Sequence, residues 1–370
     1  MPKGLKSITS AFAGMDWWLL AAVFLLTLFG LAALYSIGLG RPDSLFLEFK
    51  KQIIFLIVGL GLMFLAASFN YNFYRLNSRL FYVIPLLLII GVLFFGVTVR
   101  GTRGWFSLLG FSFQPVELMK LGVILGLAVL AAREARSFKT LGFFVSSLFL
   151  VVLPSVFVIF QPDLGSALLL CSIWLAVLLV AGTQKKYLLA LVLFLAGAIL
   201  FSWLFLFKDY QKERFLTFVD PARDPLDRGY NVTQAVIAVG SGQVFGRGLG
   251  YGSQSQLRFL PETQTDFIFA VIAEELGLVG SSFVLLVFLF LFYRLIKIAL
   301  TARDDFALFT AMGILGLFFS QFIINVGMNI GLLPVTGITL PFMSAGGSSL
   351  TVNFVLIGIA QSIAKNRQKG

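Results

Sequence analysis

The sequence predicts an all-α polytopic membrane protein of about ten transmembrane helices, and three observations carry that class. Charged residues make up 12% of the chain and hydrophobic residues 59%, where a soluble domain carries about 25% charged. Apolar runs recur along the whole length, each close to the roughly 20 residues that cross a hydrocarbon core of about 30 Å. The mean hydropathy is +0.96, and 42 of the 370 residues are Phe. Such a chain has too little polar surface to face water all round.

The runs fall at 16–38, 52–68, 80–98, 115–132, 142–160, 164–182, 188–207, 275–298, 306–328 and 347–364. The first is too long for the apolar region of a cleaved signal, and Trp17 and Trp18 stand where interface anchors belong. Charge sorts the short connections into two sets. One holds Lys3, Lys6, Arg75, Arg79, Arg133, Arg136, Lys139, Lys185, Lys186, Arg294, Lys297, Arg303, Lys365, Arg367 and Lys369. The other holds only Arg41, Lys50, Lys51, Arg100 and Arg103. The bias places both termini in the cytoplasm. Residues 208–266 then form a large extracytoplasmic loop between helices 7 and 8, within a single domain spanning 1–370. A loop that long is commonly functional. Its glycine-rich part, "GSGQVFGRGLGYGS" (240–253), suits tight turns or close backbone approach. No clean internal repeat is visible.

What is missing narrows the chemistry. The chain has no histidine, which removes the Ser-His-Asp triad, imidazole-based zinc sites and histidine proton relays. The single cysteine, Cys171, allows neither a disulfide framework nor a thiolate cluster. A net charge of +11 is what cytoplasmic loops of a membrane protein supply, so no nucleic-acid partner is expected.

Four stretches carry candidate chemistry. In "FLPETQTDFIF" (259–269), Glu262 and Asp266 stand four apart before an apolar run. A helix capped by Thr265 and opening near Asp266 would align Asp266, Ala270, Ala273 and Gly277 as a small-residue groove. Asp266 then either favours a helix N-terminus or performs chemistry. The deeper Glu274 and Glu275 tip the reading toward chemistry, because carboxylates at an apolar boundary are costly. In "RGTRGWFSLLGFSFQPVELMK" (100–120), Arg103 and Trp105 lie on an outer loop and Pro115 opens a helix. Glu117 and Lys120 share one face of it. They form either a packing ion pair or the lining of a cavity for a charged lipid headgroup. In "FQPDLGSA" (160–167), Asp163 is placed to cap the following helix, with ligand contact as the alternative. The uncharged "NVGMNIGLLPVTGITLPFMSAGGSS" (325–349) reads as a broken segment that must be buried or line a wet cavity, a wall rather than a catalytic centre.

In order along the chain, these stretches and "DPLDRGYNVTQAVIAVGSGQVFGRGLG" resemble the SEDS family of cell-wall polymerases over residues 100–349. The short N-terminus and "GSQSQLRFLPE" are more similar to its elongation (RodA-like) branch than to its division (FtsW-like) branch. The resemblance implies the SEDS fold and a peptidoglycan glycosyltransferase that polymerises lipid II at the outer face of the bacterial inner membrane. It also implies a class B penicillin-binding protein as transpeptidase partner. The family's essential aspartate falls on Asp266, as general base or as ligand to a divalent cation, Mg or Mn. Its motif tryptophan falls on Trp105, and its membrane glutamate and lysine on Glu117 and Lys120. Arg103, Arg258, Glu262 and Asp163 complete the expected substrate-binding set. Three positions depart from the pattern: Gln264 replaces the usual His, Gly104 the usual Arg, and Ala345 the usual Tyr. A lipid II flippase is the competing reading. It expects midplane binding groups at a repeat interface, whereas the acidic residues here gather at one face.

Overall fold

The computed structural model describes residues 14–39, 43–99, 101–108, 111–134, 140–201, 228–257 and 259–367. Its long helices are α1 (Trp17–Gly38), α2 (Asp43–Ser68), α4 (Ser78–Phe95), α5 (Pro115–Arg133), α6 (Leu141–Phe160), α7 (Leu164–Ala181), α8 (Lys185–Phe201), α11 (Ile268–Leu300), α12 (Asp305–Asn329) and α13 (Gly347–Lys365). Shorter helices are α3 (Tyr71–Leu76), α9 (Arg228–Ser241) and α10 (Ser253–Gln256). Among the described residues nine helices are long and apolar enough to cross a membrane. The 17-residue α8 covers the described part of the run expected at 188–207, and residues 202–207 lie outside the described residues. Each expected run thus coincides with a helix over most of its described residues.

α12 is the centre of the bundle, packed against α5, α7 and α11, while α13 lies along α2. Glycine permits the tightest crossings. A Cβ on Gly316 would sit 2.4 Å from Ala176 Cβ on α7, closer than side chains can approach.

The two ends differ in character. At one end Gly14 rests on the backbone of Lys365, and Arg75 pairs with Asp304 at 3.5 Å. Asp16 accepts a forked pair of bonds from Arg294, the Nε bond at 3.1 Å. The Gln361 amide bridges the backbone of Asp16, accepting from its N–H at 2.7 Å and donating to its C=O at 2.9 Å. The two ends of the described chain thus lie together.

The opposite end departs from expectation in two places. The stretch after α4 is not an open loop. It folds as an antiparallel sheet of β1 (Val97–Val99), β2 (Thr102–Leu108) and β3 (Phe111–Phe113), with Val97 opposite Trp105 and Phe106 opposite Phe113. The expected 208–266 loop is described from Arg228 onward, where it is largely ordered. α9 packs on α11, and the glycine-rich turns insert at a break in that helix.

That break is at Gly277, whose φ of 66° and ψ of −163° are non-helical. The backbone groups it frees find partners in the glycine-rich turns, as a span in lipid requires. Leu278 N–H donates to Gln243 C=O at 2.8 Å, and Val279 N–H to Val244 C=O at 3.0 Å. In return Arg247 N–H donates to Glu274 C=O and Gly248 N–H to Glu275 C=O, both at 3.0 Å. A Cβ on Gly277 would stand 2.3 Å from Gly246 N. We expect Gly277→Ala to cost roughly 3 kcal/mol or more, from a backbone region open essentially to glycine plus the clash. A wild-type melting temperature for the purified variant would contradict this.

Candidate functional site

Asp266 lies not in a helix but at the end of a run of turns, and α11 starts at Ile268 with Phe267 as its cap. Thr265 is no cap. Its C=O accepts from Ser344 Oγ at 2.6 Å instead. The grip on Asp266 comes from α12. Asn329 Nδ2 donates to Asp266 C=O at 2.9 Å, while Ala270 N–H donates to Asn329 Oδ1 at 2.9 Å. One amide thus stands where a helical bond from Ala270 to Asp266 would close. Asn325, one turn earlier, donates to Asp266 C=O at 3.1 Å and to Ile338 C=O at 2.8 Å. Both asparagines are fully buried. They fix the backbone of Asp266 while its half-buried side chain lies beside Gly337, where a Cβ would come within 3.8 Å of Oδ2.

The segment between α12 and α13 is non-helical as expected, largely exposed over its first half and largely buried from Ile338 onward. Leu340, Phe342 and Met343 are buried. Ala345 N–H donates to Gln264 C=O at 2.8 Å. Gln52 on α2 donates to Ser344 C=O and accepts from Gly346 N–H, at 3.1 and 3.2 Å. Residues 336–338 of this segment separate two groups of candidates. On one side is Asp266. On the other is the start of α7, where a Cβ on Gly165 would be 2.8 Å from Thr336 C=O.

Asp163 caps α7, accepting from Ser166 N–H at 2.9 Å and Ser166 Oγ at 2.7 Å. Gln114 Nε2 donates at 3.1 Å to Asp163 Oδ2, the oxygen that also accepts from Ser166 Oγ, linking the cap to the entrance of α5. These bonds account for Asp163 as a structural cap at the rim of the site. Gln161 fills the space beside Gly104, its Oε1 3.1 Å from where a Cβ would be. The arginine usual in the family would need that glutamine to move. Trp105 is half-buried on β2. Arg103 is exposed and donates to Phe94 and Gly96 C=O at 3.0 and 3.2 Å.

Lys120 Nζ meets Glu117 Oε1 at 2.6 Å, with side chains 2% and 7% exposed. Glu117 Oε2 is buried without a partner among the described residues, an open acceptor within the bundle. Removing one member of so dry a pair leaves a bare charge, typically at a cost of about 3–5 kcal/mol. We expect Glu117→Gln and Lys120→Met each to lower the melting temperature, and the double variant to restore most of it. If the pair only holds helices together, activity returns with stability. If it lines a headgroup cavity, activity stays lost in the stable double variant, which is the expected result.

Several expectations are corrected. Glu274 and Glu275 are fully buried, and their cost in an apolar setting is offset by hydrogen bonds. Glu274 accepts from Gln254 N–H at 2.8 Å and Ser255 N–H at 3.1 Å, and Glu275 from Ser36 Oγ at 2.6 Å. They pin the glycine-rich turns to the bundle. The groove along Ala270 and Ala273 does not exist either, because both residues are buried and Gly242 closes on Ala273, a Cβ there lying 1.9 Å from its C=O. Glu262 is exposed at a positive φ of 50°. Arg258 lies outside the described residues. Asn325 and Asn329, which belong to the stretch expected to be a wall, hold the backbone C=O of Asp266. Two amides four apart in an apolar helix were the available signal.

No group of three or more His, Cys, Asp or Glu side chains able to hold a metal occurs among the described residues. Among the described residues Asp266 brings one carboxylate to the site, a donor that would suit a Mg-like ion taking other ligands from water and substrate phosphates.

The FtsW/RodA/SpoVE family model, described as cell cycle protein, matches residues 16–369. Stage V sporulation protein E of Bacillus subtilis is 37% identical over 358 residues, covering 95% of this chain and 97% of that protein. Peptidoglycan glycosyltransferase MrdB of Escherichia coli K12 is 38% identical over 321 residues, 86% of each. A chain from a structure described as "Structural coordination of polymerization and crosslinking by a peptidoglycan synthase complex" superposes with a TM-score of 0.81 at 30% identity. That match covers 96% of this chain and 99% of the other.

Proposed function

From the chain's membership of the FtsW/RodA/SpoVE (SEDS) family, we propose that it is a peptidoglycan glycosyltransferase of the bacterial inner membrane, polymerising lipid II at Asp266. The observation that carries the site is the clamp of Asn325 and Asn329 on the Asp266 backbone. It presents one half-buried carboxylate at the end of the bundle that also holds Trp105 and the Glu117–Lys120 pair. The charge bias of the loops supports an extracytoplasmic location for that end and a cytoplasmic one for both termini.

The chemistry fits a single carboxylate. The 4-hydroxyl of an incoming lipid II GlcNAc attacks the anomeric carbon of the growing glycan. The new C–O bond forms as the bond to the lipid-linked pyrophosphate breaks, and the hydroxyl proton passes to Asp266 Oδ. The pyrophosphate leaves as an anion, needing cations rather than protonation. Lys120, Arg103 and Arg247 are the described candidates. A divalent cation bound at Asp266 would supply charge neutralisation at the same pyrophosphate.

"GSQSQLRFLPE" supports the elongation role, with a class B penicillin-binding protein as the crosslinking partner. The exposed apolar faces of the outer helices suit a partner's single membrane helix. The test is polymerisation of labelled lipid II by the pure chain with such a partner present. Glycan strands are expected. Lipid II translocation in liposomes without glycan formation would instead establish a flippase.

A further inference from the structure

The far end of the bundle holds a cavity of about 390 Å³ that the polymerase chemistry does not use, lined by Arg75, Leu76, Ser78, Arg79, Val129 and Arg133. It lies between α3, the start of α4 and the end of α5. Asp266 is at the other end of the helices. We infer that this cavity binds the phosphate of an anionic glycerophospholipid from the inner leaflet.

Three features converge on that occupant. The first is charge. Three arginines face one cavity and no acidic side chain lines it. Arg75 is held at 3.5 Å by Asp304, but no ion pair occupies Arg79 or Arg133 among the described residues. Guanidinium forks match phosphate oxygens two at a time. The Ser78 hydroxyl adds a donor, and Asn77 gives α4 no side-chain cap, so first-turn N–H groups also favour an anion.

The second is rigidity. Asp304 receives Tyr71 Oη at 3.2 Å as well as Arg75, and it caps α12 by accepting from Ala307 N–H at 2.9 Å. The short α3 is thereby bound to the bundle core, so its part of the cavity wall is fixed before any ligand arrives.

The third is surroundings. Leu76 in the wall is 83% exposed, and Leu80 and Phe73 beside it are 57% and 39% exposed. Leu80 opens the membrane-crossing α4, and Phe73 and Leu76 lie on α3 just before it, so these uncovered apolar side chains are placed to meet acyl chains. A soluble anion would gain nothing from them, whereas a lipid places its phosphate among the arginines and its chains along these residues. Basic pockets between helices on the cytoplasmic side are suited to such headgroups.

The test measures lipid binding to the purified full chain in phosphatidylcholine nanodiscs titrated with cardiolipin or phosphatidylglycerol. At about fivefold per arginine, Arg79→Gln with Arg133→Gln should weaken half-saturation roughly 30-fold. Lys185→Gln with Lys186→Gln, an equal charge loss on exposed lysines elsewhere, should leave it within about twofold. Melting in phosphatidylcholine alone verifies folding, and Arg133→Gln by itself gives the reading should the double variant not fold. Equal weakening in both double variants would overturn the inference, as would no preference for anionic lipid over phosphatidylcholine. Displacement of the lipid by inorganic pyrophosphate at similar concentration would also overturn it, by showing a site for soluble anions.

Discussion

Asp266→Asn is expected to lower the rate of lipid II polymerisation by roughly 10²–10⁴, the range a positioned carboxylate contributes as a general base. Folding should survive. The bonds from Asn325 and Asn329 engage the backbone C=O of Asp266, and an asparagine presents the same C=O in nearly the same volume. Co-purification with the transpeptidase partner and the melting temperature should therefore stay near wild type. The variant keeps the shape but loses the basic oxygen. If Asp266 works instead as the ligand of a divalent cation, the loss should be partly recovered by raising Mg or Mn. A base gives no such recovery. Polymerisation within about threefold of wild type would remove Asp266 from the chemistry altogether.

The spans were legible because lipid imposes one rule on each of them: about 20 apolar residues, with every backbone group satisfied inside the helix. Pro115 marks the start of α5 and Asp163 caps α7, as their local chemistry requires. What the sequence hid were long-range bonds. The Asp16–Arg294 pair joins residues 278 apart, and no local pattern announces it. Glu274 and Glu275 show the same limit from the other side. Their cost in an apolar setting was visible, but the backbone N–H groups that offset it come from turns 19 to 25 residues earlier. The sheet between α4 and α5 was missed because β1 and β3 have three residues each, too short for alternation to register. Gly277 was read as one small residue on a helical face. Its positive φ depends on turns that arrive from outside the helix.

The positioning of the carboxylate should respond most to Asn329→Leu. Its amide satisfies two buried backbone groups at once, Ala270 N–H and Asp266 C=O, and a leucine satisfies neither. Asp266 C=O keeps a second partner, so Ala270 N–H is the group left unpaired, and a stability loss of about 1–3 kcal/mol is expected. Asn325 retains a bond to Asp266 C=O, which should keep the turn from collapsing. The functional loss should exceed what instability explains, because the missing bonds are those that aim the carboxylate. Gln361→Leu supplies the comparison. That amide bridges the N–H and C=O of Asp16 in the same manner at the other end of the bundle, so its loss should destabilise by a similar amount. Assayed well below both melting temperatures, Asn329→Leu should show kcat reduced at least tenfold with KM for lipid II little changed, since the side chain positions Asp266 rather than touching substrate. Gln361→Leu should keep its kcat. Equal kcat values in the two variants would make Asn329 a structural bridge and nothing more, and the orientation of Asp266 would then have to rest on Gly337 and the wall it belongs to.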